Sequence, residues 1–308
     1  MNQVSLIGAP SGWGAGFRHT ESGPPMLRAL GLEDWLRQAG LPARWTEMVE
    51  PRHFWRDVPT PSRPEVFDLV AEHAGALARA VAAAMTRGDI PVVLGGDHAI
   101  AIGTWGGVSR SLGGRNLGLI WFDAHLDAHT VATTPSMNPH GMGAAVLLGH
   151  GEPAFLAVGG GAVRPENLCY VGARSYEEGE LALLRRLGVR IVLAEEVRSR
   201  GLAAVIEEAT RIATRGTSGF GLSIDLDGFE PADAPGVGLK EPNGLRRGEM
   251  LEAMAALGRH PGLQAIEIVE YIPDWDEDWR TARLVGDLLA AALGPAVAAR
   301  RQRTSVQA

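Results

Sequence analysis

The sequence predicts one doubly wound α/β domain, in which helices cover both faces of an eight-stranded parallel sheet. The chain of 308 residues is long enough to bury a large core. Short apolar runs alternate from end to end with longer stretches of helical periodicity, the pattern of strand–helix–strand units. The runs are mostly apolar throughout, which is typical of parallel strands buried on both faces.

The strands are predicted where apolar runs are bounded by turn residues. In chain order they are 4–10, 43–49, 90–96, 117–123, 167–173, 189–194, 220–227 and 263–270. The clearest helices are 64–87, 175–188, 201–214, 247–258 and 279–294. In the first of these, apolar residues recur at three- and four-residue spacing and Gly88 closes the pattern.

Two long loops and two termini complete the predicted domain, residues 1–308. The loops are 9–25 and 127–140, and long loops in compact α/β domains are often functional. Residues 1–4 and 296–308 are expected to be flexible. No low-complexity linker or internal repeat divides the chain.

Composition limits the classes of partner. The net charge of −7 gives no reason to expect nucleic acid or an anionic membrane and suits a cationic substrate better. The single cysteine, Cys169, excludes an intrachain disulfide, which is compatible with a reducing compartment. We find neither a signal-peptide pattern nor about 18 uninterrupted apolar residues, and therefore expect a cytoplasmic protein.

Charged side chains stand where a buried strand should end, in the segment WFDAHLDAHT at 121–130. In extended chain, residues two apart point the same way, so Asp123, His125 and Asp127 should converge. A solvated surface strand is the alternative, but the preceding LGLIW is too apolar for it. Three polar groups in a buried position need a compensating partner.

The same pattern follows two other predicted strands. Asp225 and Asp227 are two residues apart in GLSIDLDG, and Asp97 and His98 follow a Gly-Gly turn at the start of a helix. Parallel α/β sheets collect functional groups at the carboxyl ends of their strands, so we expect one shared site.

Two divalent cations are the best physical account of this site. Four clustered carboxylates would repel one another and raise their own pKa values, whereas two divalent ions balance their charge. Oxygen and imidazole ligands without thiolate favour an ion such as Mn²⁺ over a structural zinc site. Two metals can hold a shared water as hydroxide at neutral pH, which predicts a hydrolase.

The surrounding segments favour a cationic substrate over a phosphate. Phosphate sites usually contain Arg, Lys or a helix N-terminus, and only Arg174 and Lys240 lie near the motifs. Glu270, which ends the eighth predicted strand, adds another carboxylate to the pocket.

Five segments resemble the signatures of the ureohydrolases, the family of the arginases and agmatinases. GGDHAIAIG, FDAHLDAH and SIDLDGFEPADAPG are similar to its metal-binding motifs, and NPHGM and VEYIP to two further active-site segments. The opening GAPSGWGAGFRHTESGPPMLRALGL is also similar to an arginase N-terminus. The resemblance implies an arginase-like fold, two Mn²⁺ ions per subunit and a homo-oligomer, either a trimer or a hexamer.

The resemblance also implies roles for individual residues. His98 and Asp127 would bind one ion, His125 and Asp227 the other, with Asp123 and Asp225 bridging. Asp97 would orient its neighbours. Hydroxide between the ions would attack the guanidinium carbon, with Glu270 binding the guanidinium nitrogens and His140 relaying a proton to the leaving amine.

L-Arginine is the expected substrate, giving urea and L-ornithine, because DLDG and the length of the 127–140 loop resemble arginases more than agmatinases. The substrate-binding residues implied are His129, Thr134, Ser136, Asn138 and Glu177. His129 replaces the usual asparagine and could instead be a surface histidine. Glu177 replaces an aspartate, and its extra methylene moves the carboxylate by about 1 Å. GVGLKEPNGL also departs from the usual Gly-Thr-Pro turn.

Three alternatives remain open. The first is the same chemistry on agmatine or on a guanidino acid such as 4-guanidinobutyrate. The second is a metal-binding protein without turnover, which the complete set of ligands disfavours. The third is a deacetylase on the related fold, which would use one zinc ion and fewer carboxylates.

Overall fold

The computed structural model describes residues 3–16, 18–55, 57, 62–114 and 117–306, with side chains through residue 298. Its strands are β1 (Val4–Ala9), β2 (Ala43–Met48), β3 (Ile90–Gly95), β4 (Leu117–Phe122), β5 (Val163–Ala173), β6 (Arg190–Leu193), β7 (Gly219–Asp225) and β8 (Leu263–Val269). They form one eight-stranded sheet in the order β2-β1-β3-β8-β7-β4-β5-β6, and every pairing is parallel. The predicted fold class and strands are confirmed.

The helices are α1 (Gly23–Ala29), α2 (Leu32–Gln38), α3 (Arg63–Thr86), α4 (Ala101–Ser111), α5 (Gly143–Leu147), α6 (Pro153–Gly159), α7 (Glu178–Leu187), α8 (Ala194–Arg200), α9 (Leu202–Thr214), α10 (Arg247–Gly258) and α11 (Arg280–Val306). Each of the five helices predicted most clearly is present. A capping box starts α3, in which the Ser62 side chain accepts a hydrogen bond from Glu65 N–H and the Glu65 carboxylate accepts one from Ser62 N–H.

Three element boundaries differ from the predictions by more than two residues. β5 begins at Val163, four residues before the predicted start. The prediction missed these residues because they alternate between buried and more exposed positions and therefore give no apolar run. α7 begins at Glu178, not 175, because Glu177 is its N-cap residue, with extended backbone (ψ 155°) and a capping box with Glu180. α11 continues through Pro295, where we expected it to end, because the buried Ala296 and Val297 hold the next turn against the core. The expected flexibility of the termini stays a prediction.

Successive residues of the central strands pack into different hydrophobic cores. Val92 and Leu94 of β3 face a core completed by helices that include α9, α10 and α11, whereas Val93 faces a core completed by helices that include α3, α4 and α7. The sheet is therefore covered on both sides, which explains why its strands are apolar throughout.

Among the described residues, one stretch is long and apolar enough to cross a membrane, Arg280–Ala298 of α11. Of this stretch, 61 % is buried inside the protein. Leu284, Leu288 and Leu289 pack in the core against the sheet, which accounts for the apolar composition.

Candidate metal centre

The predicted polar side chains follow four strands that are neighbours in the sheet. The strand order β3-β8-β7-β4 brings together the carboxyl ends that carry His98, Glu270, Asp225 and Asp123. β5 lies beside β4 and leads to Glu177. The sheet topology thus places residues that are as far apart as 98 and 270 in the sequence at one edge.

His98 is positioned by the turn after β3. Gly96 is required there, because a Cβ at this position would collide with the backbone of Ser11. Asp97 accepts hydrogen bonds from Gly14 N–H (2.8 Å) and Ala99 N–H (3.0 Å). Burial, followed by the charge of Glu270, raises the pKa of Asp97 to about 7. Asp97 therefore holds the loop around Gly14 and the first turn after β3 in place.

The Nδ1 atom of His98 faces three carboxylate oxygens, Oδ2 of Asp123 (3.3 Å), of Asp127 (3.0 Å) and of Asp225 (3.1 Å). Although it is buried, Nδ1 has no hydrogen-bond partner of normal geometry in the described part of the chain. An imidazole lone pair that converges with three carboxylates is the donor set of a cation site, so these residues fit a divalent ion.

A hydrogen-bond network behind His98 holds its Nε2 atom in place. His98 Nε2 lies 2.9 Å from Ser223 Oγ, which donates to Glu267 Oε1 at 2.7 Å. Trp105 Nε1 donates to the same Glu267 oxygen at 3.0 Å. Since Ser223 donates to Glu267, its oxygen can accept from His98 Nε2–H, and Nδ1 is the ring nitrogen that faces the carboxylates and would bind a metal once its proton is displaced. The ring of Trp121 stacks on His98 with centroids 4.3 Å apart.

A second group joins the first through Asp123. His125 Nδ1 lies 3.2 Å from Asp227 Oδ2 and 3.5 Å from Asp123 Oδ1, so the two oxygens of Asp123 face different imidazoles. Possible ligand atoms lie within 4.8 Å of one another in each group: His98, Asp123, Asp127 and Asp225, and Asp123, His125 and Asp227. Asp225 belongs only to the first group, and its Oδ1 accepts a hydrogen bond from Asp227 N–H at 2.9 Å.

The electrostatics of the cluster indicate that cations are needed. Burial and the neighbouring carboxylates raise the pKa of Asp127 to about 6 and that of Asp225 well above its usual range. Burial opposes the charging of both imidazoles, yet the surrounding carboxylates raise the pKa values of His98 and His125 above their usual range. The protons on the two imidazoles thus offset part of the negative charge of the carboxylates, and two metal ions would offset more of it.

The cluster opens into a cavity of about 600 Å³, which His140 and Glu270 line together with His125 and Asp227. His140 Nδ1 lies 3.5 Å from Glu270 Oε1, and the same oxygen accepts a hydrogen bond from His98 N–H at 2.9 Å. Burial lowers the pKa of His140, but the contact with Glu270 and the nearby carboxylates outweigh it and raise the pKa to about 9. The backbone is left-handed at Glu270 (φ 66°) and Asp127 (φ 47°).

Four of the five predicted substrate-binding residues line this cavity: His129, Ser136, Asn138 and Glu177. His129 Nε2 lies 3.0 Å from Glu177 Oε2 and 3.4 Å from Glu180 Oε2, so His129 is tied to the cavity wall and is not an isolated surface residue. Thr134 is not among the lining residues, because its hydroxyl accepts a hydrogen bond from Met137 N–H within its own loop.

Sequence reasoning missed other parts of the wall, among them Tyr176, Glu180, Leu239, Glu241 and Trp275. Glu180 could have been found, since it lies three residues after Glu177 in the segment GARSYEEGE. Leu239 and Glu241 stand in an irregular loop, and Trp275 ends the short 3-10 helix Pro273–Trp275, so none of the three gives a periodic signal. Among the described residues, the lining includes neither arginine nor lysine, so the outer cavity is acidic.

Comparison with known proteins agrees with this geometry. The sequence matches the arginase family over residues 2–294. It is 37% identical over 304 residues to the arginase of Bacillus caldovelox, covering 96% of this chain and 99% of that protein.

Solved structures show the same relationship. The crystal structure of the Bacillus caldovelox arginase matches with a TM-score of 0.89 at 37% identity, covering 96% of this chain and 99% of that one. The arginase of Entamoeba histolytica, solved in complex with L-ornithine, has a TM-score of 0.86 at 27% identity, covering 96% and 100%. With a match across nearly all of its length, together with the fold and the clustered motif residues, this chain belongs to the arginase family.

Proposed function

We propose that this protein is a binuclear Mn²⁺ amidinohydrolase that converts L-arginine into urea and L-ornithine. The observation that carries the proposal is Asp123, whose two oxygens face His98 and His125 and join two groups of metal-binding side chains at the floor of one cavity. When bound, two divalent ions would lower the pKa of a shared water and so supply hydroxide at neutral pH.

The side chains of the cavity would hold the guanidinium group over the metal cluster. Glu270 would accept hydrogen bonds from its N–H groups and orient its carbon, while contact with His98 N–H and His140 keeps the carboxylate in place. His140 would deliver a proton to the leaving amine, and its raised pKa keeps the ring protonated at neutral pH in the metal-free protein. Apolar and acidic walls would exclude a phosphate.

The far end of the substrate would meet the acidic outer wall. Glu177 would bind an ammonium group of the substrate. His129, which contacts Glu177, would hold the Glu177 carboxylate in place. Ser136 and Asn138 line the loop side of the cavity and offer only neutral donors to a substrate carboxylate. The arginases named above support L-arginine. The described lining contains neither arginine nor lysine to pair with a substrate carboxylate. Agmatine, which has no carboxylate, is therefore kept as the alternative substrate.

Urea release from L-arginine, agmatine and 4-guanidinobutyrate by the Mn²⁺-loaded protein tests this function. Turnover of arginine above the other two supports the proposal. Preference for agmatine or for the guanidino acid would change the substrate but keep the metal chemistry. If two metals bind and none of the three compounds is hydrolysed, the arginine proposal is wrong.

The Glu177→Gln variant should lose affinity for substrates that carry an ammonium group. Hydrogen bonds to charged groups contribute about 1.5–3 kcal/mol, so we expect kcat/KM for arginine to fall by roughly 10- to 100-fold. The value for 4-guanidinobutyrate should change little. Glu178→Gln is the matched control, because Glu178 is the next residue, is exposed and lies outside the lining. Equal losses on both substrates would contradict the assignment of Glu177.

Metal affinity should rise with pH. His98 and His125 have raised pKa values in the metal-free protein and carry protons at neutral pH. Asp127, with a pKa of about 6, is partly protonated near pH 6. Mn²⁺ must displace these protons, so affinity should increase by about tenfold or more per pH unit between pH 6 and 8. Calorimetry in buffers of different ionisation enthalpy would count the protons released. An affinity that does not change with pH would contradict this picture of the ligands.

We further propose a cytoplasmic homo-oligomer, a trimer or hexamer, of a single domain. The buried Cys169 thiol is compatible with a reducing compartment. The oligomeric state follows from the family resemblance alone, and size-exclusion chromatography with light scattering would measure it.

A further inference from the structure

Arg174 follows β5 directly, and its guanidinium group lies within hydrogen-bond distance of the backbone that follows β7. All of its recorded hydrogen bonds go to backbone carbonyl oxygens. They are those of Gly172 (3.1 Å), Asp227 (2.8 Å), Gly228 (3.2 Å), Phe229 (3.2 Å), Glu241 (2.8 Å) and Pro242 (3.1 Å). A guanidinium has five N–H donors, so six acceptors use all of them and share one.

These acceptors belong to two functional segments and to β5 itself. The first segment is the turn 227–229, which carries the metal-binding side chain of Asp227. The second is the loop 238–242, of which Gly238, Leu239 and Glu241 line the cavity. Glu230 Oε2 accepts a hydrogen bond from Gly244 N–H, and Leu245 N–H donates to Gly228 O, so residues that flank the two segments are also hydrogen-bonded without Arg174.

We infer that Arg174 is a positioning residue that couples the His125–Asp227 metal group to the cavity loop 238–242. Its hydrogen bond to Asp227 O sets the backbone from which the Asp227 carboxylate reaches His125. Its bonds to Glu241 O and Pro242 O set the opposite wall. One planar group thereby aligns a metal ligand with the surface that faces the substrate. The inference rests on the proposed function for its substrate readout, but not for its metal readout.

Lysine cannot replace this group. It keeps the charge and much of the stem, but a single nitrogen with three donors cannot reach acceptors spread over two segments. Arg174→Lys should therefore weaken the second metal group more than the first, because the guanidinium hydrogen bonds reach the backbone of Asp227 and none of those given above goes to His98, Asp123, Asp127 or Asp225. Loss of an outer-sphere partner typically costs about 10–100-fold in metal affinity, which is the weakening expected here.

The experiment compares Arg174→Lys with wild type and with Arg198→Lys. Arg198 is the matched control, since its guanidinium donates to Asn243 O (3.2 Å), the residue that follows this loop, but from the exposed side. Mn²⁺ titration followed by electron paramagnetic resonance separates singly from doubly loaded protein. We expect Arg174→Lys to need about 10–100-fold more Mn²⁺ for the coupled two-ion signal while the first ion binds as in wild type. KM for arginine should rise more than kcat falls, and Arg198→Lys should match wild type in every measurement.

Two outcomes would overturn the inference. One is wild-type binding of both ions with an unchanged KM. The other is an equal loss of affinity for both ions accompanied by loss of the near-ultraviolet circular dichroism signal. That result would make Arg174 a residue that supports the fold in general. Hydrogen exchange of the metal-free variant gives a readout that needs neither metal nor turnover: 226–230 and 238–243 should exchange faster, and β4 and β7 should not. If wild type proves inactive on arginine, the metal and exchange readouts still decide the role of Arg174.

Discussion

Replacement of Asp123 by asparagine is expected to abolish urea release and to leave fewer than two Mn²⁺ ions bound. Asp123 belongs to both metal groups, and each of its oxygens faces a different imidazole. Its carboxylate is held by Trp121 Nε1–H (2.8 Å) and His125 N–H (2.6 Å), and the contacts with His125 and His98 outweigh burial and lower its pKa. We therefore propose that Asp123 is an ionised ligand shared by both metal ions.

The size of this effect follows from the charge that would be lost. Lewis-acid stabilisation is worth several kcal/mol, and each 1.4 kcal/mol is tenfold in rate, so activity should fall by at least about 10³-fold. Metal content would be measured by elemental analysis and activity by urea release. Asp89→Asn is the control, because Asp89 is also a buried, hydrogen-bonded carboxylate but precedes β3 at the opposite edge of the sheet. An active Asp123→Asn variant with two metals would refute the shared-ligand assignment.

Replacement of His140 by asparagine is expected to cut turnover while both metal ions stay bound. His140 is in neither metal group, lines the cavity and contacts Glu270. Loss of an acid–base group typically costs about 10²–10⁴-fold in rate, and we expect kcat to fall by that amount with little change in KM.

The control for this variant is His150→Asn, since His150 lies outside the cavity lining. Metal titration tells the two possible roles apart. If His140→Asn binds fewer ions, His140 is a ligand and not a proton relay. If kcat stays near the wild-type value, another group supplies the proton.

The central strands and the metal cluster are predictable because burial and chemistry both mark the sequence there. Val92 to Leu94 alternate between two cores, so both faces demand apolar residues and the run is visible. Asp123, His125 and Asp127 interrupt such a run, and only convergence on a shared partner explains this interruption. Their motif spacing then identifies the family.

Other features depend on contacts that local sequence does not encode. Helices such as α5 (five residues) are too short for a periodic pattern. The continuation of α11 through Pro295 depends on packing against the core, which overrides the helix-breaking tendency. Thr134 was expected in the cavity by motif position, but its side chain caps its own loop instead. Leu239, Glu241 and Trp275 reach the cavity through tertiary placement alone.

The left-handed backbone at Asp127 and Glu270 affects how this protein could be made more heat-resistant. An L-residue in that conformation costs about 1–2 kcal/mol that glycine would not incur. Glycine at either position would relieve this backbone cost while deleting a carboxylate from the cavity. A directed-evolution screen for thermal survival alone does not select against such variants, so a useful screen has to select for urea release at the same time.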